Sequence, residues 1–511
     1  MSRPSRRGSR PVRNLLSLCV LVLAGSASAA PTPEWVDRGG STPAYPRARF
    51  LTGFGQGEGR DEALESAKQQ AAADLARQIS VQIESNVIDV TREADGRMTN
   101  ALTSQIRATS DIRLDGVRFE TYRKRKRVWA LAILERGPAA AKRRRERDRA
   151  LALTQRCLEE AGRQEDAGRA SQALATYRSC RTPLEAALEH EAIATAIQRS
   201  PGADEAGATL ARHASLISAR VRAIPHEDAG SIRSAAEGLA QQLASAGIGR
   251  GQNLAVAPFL YQSRDVSSPL GRELAIALEA AVGRTPLERA DPELDAIAIR
   301  GSYHEDGELF QVRATAREAG SGRLLASAEI GLAASGVPPT IATKPANFDS
   351  YAKTIGKLAG GELVSGDLRI DLRTNKGIRG LVFDEGEDLS IYVRVNQPAW
   401  VSLIYVLTNG EHVPIEQAWY IDGEKVNQLV EYPSSFEIVP PFGVEMIHAM
   451  AHSEKPPRLV TRHTRIEGQD YDVIDEGADQ VVRNRGIARK KKKQVAEQTL
   501  QLTTMRAPAG S

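Results

Sequence analysis

Several groups of residues in this chain have types and spacings from which chemistry is commonly built. His448 and His452 are four apart, with Glu445 close by. On a helix that spacing would offer two imidazoles to one zinc ion. The surrounding residues alternate as a strand does, which sets the pair about 13 Å apart on one face at ~3.3 Å per residue, too far to share a metal. Residues 53–59 (GFGQGEG) stand between a strand and a helix, where backbone amides can cradle a phosphate. Position 58 is Glu where a dinucleotide fingerprint needs Gly, and Glu58 and Asp61 put negative charge where the phosphate would lie. The segment therefore reads as a strand end.

Three basic runs follow: 123–127 (RKRKR), 142–147 (KRRRER) and 489–493 (RKKKK). Each reads as a solvated loop or helix face, or as a contact for an anionic outer-membrane surface or an acidic protein. No G-x-S-x-G, Walker A, H-E-x-x-H or EF-hand pattern occurs. The expectation is a protein that is not an enzyme and carries no cofactor and no metal.

The first 30 residues hold five arginines and no acid, then an apolar run over 15–24 (LLSLCVLVLA), then small residues with A-x-A spacing at Ala27 and Ala29. This is the layout of a secretory signal peptide, cut after Ala29 or Ala30. Cys19 follows Leu18 and precedes five more apolar residues, so it does not sit in a lipobox. The rest of the sequence contains no run of the ~18 apolar residues that a membrane-spanning helix needs. After cleavage Cys157 and Cys180 remain, near-symmetric about Gly168 in two segments with helical periodicity. An exported pair with no C-x-x-C and no neighbouring His set reads as a disulfide rather than a redox or metal pair.

The chain has 511 residues, 68 basic and 64 acidic, with 26% charged and 5% aromatic residues. That length suggests roughly three or four domains. Without the five leader arginines the formal charge is −1, which argues against nucleic acid as the main partner.

The elements that must position these residues fall into blocks. Residues 34–136 read as a small α+β domain. Its helix starts at Asp61 and buries Leu64, Ala67, Ala71, Leu75 and Ile79; a strand follows over 81–90, then a hairpin of 117–122 with 128–133. Residues 137–248 are Ala-rich and read as helical. Residues 252–335 read as an α/β domain: a buried strand over 254–259, a helix over 270–282 and three strands. Residues 336–360 read as linker and helix. Residues 361–506 read as a β-sandwich in which Asn409-Gly410 makes a hairpin turn and 499–503 is the final strand. Residues 453–494 read as a polar excursion. The fold class is thus multi-domain α+β.

Residues 383–401 (FDEGEDLSIYVRVNQPAWV), Tyr432-Pro433, Pro440-Pro441-Phe442-Gly443-Val444-Glu445, Ala496-Glu497 and Leu502-Thr503-Thr504 resemble the domain of unknown function numbered 4384. That resemblance implies an exported bacterial β-sandwich with no assigned activity. Pro33-Glu34-Trp35, Gly53-Phe54-Gly55 and the Ala-rich helix after them are similar to the LPP-type (number twenty) surface lipoprotein and flagellar assembly T families. Val256-Ala257-Pro258-Phe259, Gly301-Ser302-Tyr303 and residues 320–327 (GSGRLLAS) resemble the domain shared by curli-secretion lipoproteins, flagellar assembly O proteins and the TolB N-terminal domain. Together these resemblances imply a periplasmic or outer-membrane-associated adaptor or assembly protein whose partners are other envelope proteins. The alternative is a periplasmic small-ligand or glycan sensor, with its ligand in the α/β domain.

Overall fold

The computed structural model describes residues 32–58, 63–93, 116–198, 205–224, 228–249, 252–262, 265–283, 297–319, 321–351, 368–466, 468–475 and 494–507. The fold is multi-domain α+β, with sheets and helices packed as successive units along the chain.

The first unit contains α1 (Glu34–Asp37), β1 (Phe50–Glu58), α2 (Ala63–Glu93), β2 (Arg118–Lys124) and β3 (Arg127–Glu135), with the antiparallel sheet order β1-β3-β2. Gly53, Gly55 and Gly57 recur at the strand period and meet Ala63, Ala67 and Ala71, which recur at the helix period. A Cβ on Gly53, Gly55 or Gly57 would lie 2.1, 2.1 or 1.9 Å from the carbonyl oxygens of Ala71, Ala67 and Ala63 respectively. The glycine-rich segment is therefore a strand whose backbone rests directly on a helix. The strand expected over 81–90 does not form, because α2 runs through it to Glu93. Its buried stripe continues through Leu75, Ile79 and Ile83, so the helical period prevails over the local alternation.

Strand β3 leads directly into α3 (Arg136–Asp166), followed by α4 (Ala170–Ser179), α5 (Arg181–Gln198) and α6 (Glu205–Ala223). Gly168 takes φ +70° between α3 and α4, a left-handed position that favours glycine and ends the helix. A disulfide joins Cys157 to Cys180 with their Cα atoms 5.5 Å apart. Leu158, Ala161, Ala173, Tyr177, Leu184, Leu210 and Ile217 form the core of this bundle.

The third unit holds α7 (Ile232–Ser245), β4 (Leu254–Val256), β5 (Leu260–Tyr261), α8 (Pro269–Ala281), β6 (Ile297–Asp306), β7 (Leu309–Glu318) and β8 (Leu324–Ala333). Strands run in the order β4-β6-β7-β8, with β5 also on β6. The strand expected over 254–259 stops at Val256, since Pro258 has no N–H to donate to a ladder. Helix α7, inside the segment 137–248 by sequence position, buries Ala235, Ala236, Leu239 and Leu243 in the same core as these strands.

The last unit comprises β9 (Ile370–Thr374), β10 (Leu381–Asp384), β11 (Asp388–Leu389), β12 (Ile391–Val395), β13 (Ala399–Val406), β14 (His412–Ile421), β15 (Val430–Glu431), β16 (Phe436–Glu437), β17 (Val444–His452), β18 (Thr461–Ile466), β19 (Gln469–Ile474) and β20 (Val495–Met505). A five-stranded sheet β10-β20-β17-β13-β14 packs on a three-stranded sheet β15-β12-β9. Between them lie Leu372, Phe383, Ile391, Val393, Val401, Leu403, Ile447 and Leu502. The final strand is integral: β20 pairs antiparallel with β17 from Val444↔Thr503 to His452↔Val495, and parallel with β10. The polar excursion contains the hairpin β18–β19, which sequence reading missed. Its residues 461–466 are exposed or half-buried throughout, so there was no apolar alternation to detect.

Candidate interaction surface

Ion pairs mark three of the junctions between units, two of them with buried charge. Helix α5 presents Arg181, Glu185 and Glu189 at successive turns toward the sheet of the third unit. Glu329 on β8 receives Arg181 at 2.7 Å and both Nε and Nη2 of Arg313, its cross-strand neighbour on β7, at 3.0 and 2.7 Å. Arg317 meets Glu189 at 2.9 Å. Burial opposes ionisation of Glu329, but Arg181 and Arg313 overrule it and hold its carboxyl down at about 2. Between the first unit and the sandwich, Asp371 on β9 is 2% exposed and lies 2.7 Å from Arg394, 3.2 Å from Arg373 and 3.4 Å from Arg77 of α2. A cavity of about 20 Å³, room for one water, opens there beside Asp74, Arg77 and Asn427. Between the third unit and the sandwich, Arg272 bonds Asp384 at 2.7 Å, and Val406, Val444 and Met446 enter the core of the third unit. The bundle meets the first unit through Ile193, Ala196 and Ile197. The four units thus close a circuit of contacts.

Beside that junction Glu445 is 4% exposed on β17 and accepts a hydrogen bond from Tyr405 Oη at 2.9 Å. Burial pushes its carboxyl up to about 7, tempered by hydrogen bonds from Tyr405 and Thr504.

Edge strands carry unpaired N–H and C=O groups that invite another strand. Four of these edges, on β1, β8, β9 and β10, are capped. On β1, Asp74 takes the Phe54 N–H at 3.0 Å, Gln70 takes that of Gln56 at 3.4 Å, and Gln78 donates to the Thr52 carbonyl at 2.9 Å. These caps sit one turn apart on α2. On β8, Thr182 accepts from the Ser327 N–H, Gln242 bonds both main-chain groups of Glu329, and Ala229 pairs with Gly331 and Ala333. Gln498 accepts from the Leu372 N–H of β9 at 2.7 Å. Lys376 and Glu387 bond Val382 and Asp384 of β10.

Strand β2 differs. Its residues are exposed except for half-buried Tyr122, and among the described residues no side chain caps its outer main-chain groups. The ladder to β3 closes with Lys124↔Arg127 around Arg125-Lys126, and Arg125 takes φ +56°. In a two-residue hairpin the closing pair is hydrogen-bonded, so alternation aims the N–H and C=O of Phe119, Thr121 and Arg123 outward.

The expected site residues fall in separate places. Ala29, Ala30 and Cys19 lie outside the described residues, as do Gly59, Asp61 and the run 489–493. Cys157 and Cys180 staple the end of α4 to α3, two residues before Thr182, which caps β8. His448 and His452 lie on β17, where His448 Nδ1 meets Thr499 Oγ1 at 2.8 Å. Among the described residues no His, Cys, Asp and Glu group has the arrangement of a metal site. The run 123–127 forms the β2–β3 tip. The run 142–147 lies on α3, where Arg143 pairs with Glu146 at 3.1 Å and buried Arg147 pairs with Asp148 and Glu191, so part of its charge is neutralised locally. Sequence reading missed the capping residues. A polar stripe such as Gln70-Asp74-Gln78 looks like a solvated helix face until the strand beside it is known.

Among the described residues no helix is long and apolar enough to cross a membrane. Comparison with curated proteins and with solved structures gives no match. Residues 33–135, which span α1 through β3, are similar to the LPP20 lipoprotein family, whose model they match.

Proposed function

We propose that this chain is a non-enzymatic adaptor or assembly protein of the bacterial envelope, exported and periplasmic or outer-membrane associated, that binds other envelope proteins. The LPP20-like unit and the leader-like first 30 residues support the location. The observation that carries the reading is the contrast in edges: β1, β8, β9 and β10 are capped by side chains, while β2 is open in a framework closed by ionic junctions. Affinity purification of the full chain from cross-linked envelope fractions tests this. A recurrent, stoichiometric envelope protein is expected, and its absence under several cross-linkers refutes the reading.

A glycan sensor is the second reading, favoured by one observation, which lies on the sandwich and not in the α/β domain where the sequence placed the ligand. Trp400 and Tyr420 pair across β13 and β14 with ring centroids 4.8 Å apart, Lys455 stands 5.1 Å over Trp400, and Tyr420 is 48% exposed. Sugar rings stack on such surfaces. Co-sedimentation with an envelope polysaccharide that is lost in Trp400→Ala would support it, and no co-sedimentation of the native chain would exclude it.

A further inference from the structure

We propose that the open edge of β2 takes up an extended, acidic segment of a partner protein as a fourth strand beside β2. This rests on the adaptor reading and names its site and partner chemistry. Strand addition needs a row of free main-chain groups on an accessible edge, and pockets or charges that select the incoming side chains. The outward N–H and C=O groups of Phe119, Thr121 and Arg123 supply the row. Arg118, Arg123, Lys124, Arg125 and Lys126 supply the charge, all of them exposed. The one acid of the strand, Glu120, already holds Tyr45 Oη.

The charge also selects the occupant. A second copy of this chain presenting the same edge would set arginines and lysines against one another, and like charges across neighbouring strands are destabilising. Basic residues on an edge normally deter pairing with neutral or basic strands. They do not deter an acidic one, and they speed its encounter. The capping on β1, β8, β9 and β10 closes those four edges to an incoming strand, whereas β2 combines an uncapped edge with a basic tip.

The test uses the full-length protein and a nine-residue synthetic peptide of alternating Val and Glu, followed by fluorescence anisotropy. A Val/Lys peptide of the same length is the control. Thr121→Pro deletes one outward N–H and leaves the ladder to β3 intact, because edge strands tolerate proline on their solvent side. Binding of the acidic peptide should fall at least about tenfold in Thr121→Pro and in Arg123→Glu, a loss equivalent to about 1.4 kcal/mol. The basic peptide should not bind. Hydrogen exchange at Thr121 and Arg123 should slow when the acidic peptide is present. Circular dichroism of each variant confirms folding, and Thr121→Val is the conservative control that should bind as the native chain does. Equal binding by native protein and Thr121→Pro would show attraction by charge alone and overturn the proposal; absence of binding to native protein would do the same. If an envelope partner still co-purifies with Thr121→Pro, the adaptor reading stands and the assignment to β2 fails. If none co-purifies with the native chain, the adaptor reading itself fails.

Discussion

Glu445 makes the stability of the sandwich depend on pH in an unusual direction. Its carboxyl is buried on β17 and is pushed up to about 7 from an ordinary 4.5. Below pH 4.5 it is protonated whether the chain is folded or unfolded, so it contributes nothing to the pH dependence. Between 4.5 and 7 the folded chain holds a proton that the unfolded chain has lost, so folding weakens as pH rises. The full effect, reached above pH 7, is about 3 kcal/mol at 1.36 kcal/mol per pH unit. Glu445→Gln is neutral at every pH and keeps an oxygen for the Tyr405 hydroxyl. Paired thermal scans of native and variant chains at pH 4.5, 6 and 8 measure the difference. The melting temperatures should nearly coincide at pH 4.5, and the variant should melt roughly 6–12 °C higher at pH 8, using about 2–4 °C per kcal/mol. A gap that is the same at all three pH values would refute the argument. It would show that Glu445 is ionised near neutrality in the folded chain, or that the substitution acts through shape alone.

The opposite sign is expected at Glu329, whose folded carboxyl is held at about 2. Its contribution is present above pH 4.5 and is lost as pH falls toward 2; Glu329→Gln should cost about 3 kcal/mol at pH 7 by taking the main ion partner from Arg181 and leaving Arg313 with Glu185 at 3.7 Å, and denaturant melts at pH 7 and pH 3 should show that cost shrinking. Gly55→Ala places a Cβ 2.1 Å from the Ala67 carbonyl and should destabilise the first unit by at least about 2 kcal/mol, read from hydrogen exchange along β1. Removing residues 495–511 deletes β20, opens one edge of β17 and leaves β10 without its partner, and should produce aggregates in size-exclusion chromatography; a monomeric product with an unchanged melt would show that β20 is dispensable.

What could be read in advance is what depends on near neighbours. The stripe Leu64, Ala67, Ala71, Leu75, Ile79 announced α2, and the alternation of Leu500 and Leu502 announced β20. The strand expected over 81–90 failed because helical periodicity, anchored by Ile79 and Ile83, extended farther than a local alternation suggested. The hairpin β18–β19 failed because most of its side chains face solvent, and its buried pair Val473 and Ile474 is adjacent rather than alternating, so no period of two appears. The candidate surface was half legible. The basic tip was visible as a charge run, but its meaning came from caps such as Gln498 on Leu372, 126 residues apart in sequence. Bonds of that range follow from tertiary placement, which no local window contains. The arginines around Asp371 are of the same kind, since Arg77 reaches it from a different unit.

The circuit of units has a consequence for damage. Three of its contacts join units that are consecutive along the chain, and the contact of Arg77 with Asp371 joins the first unit to the last. Once the other three are made, the partners of this fourth contact are held at a high local concentration, so a modest attraction is enough to keep it shut. The reverse also holds: with the fourth contact made, loosening any one of the others leaves its two sides tethered from both directions. A protein built this way fails by losing two junctions rather than one. Single substitutions at a junction should therefore be forgiven more readily than pairs placed on opposite sides of the circuit.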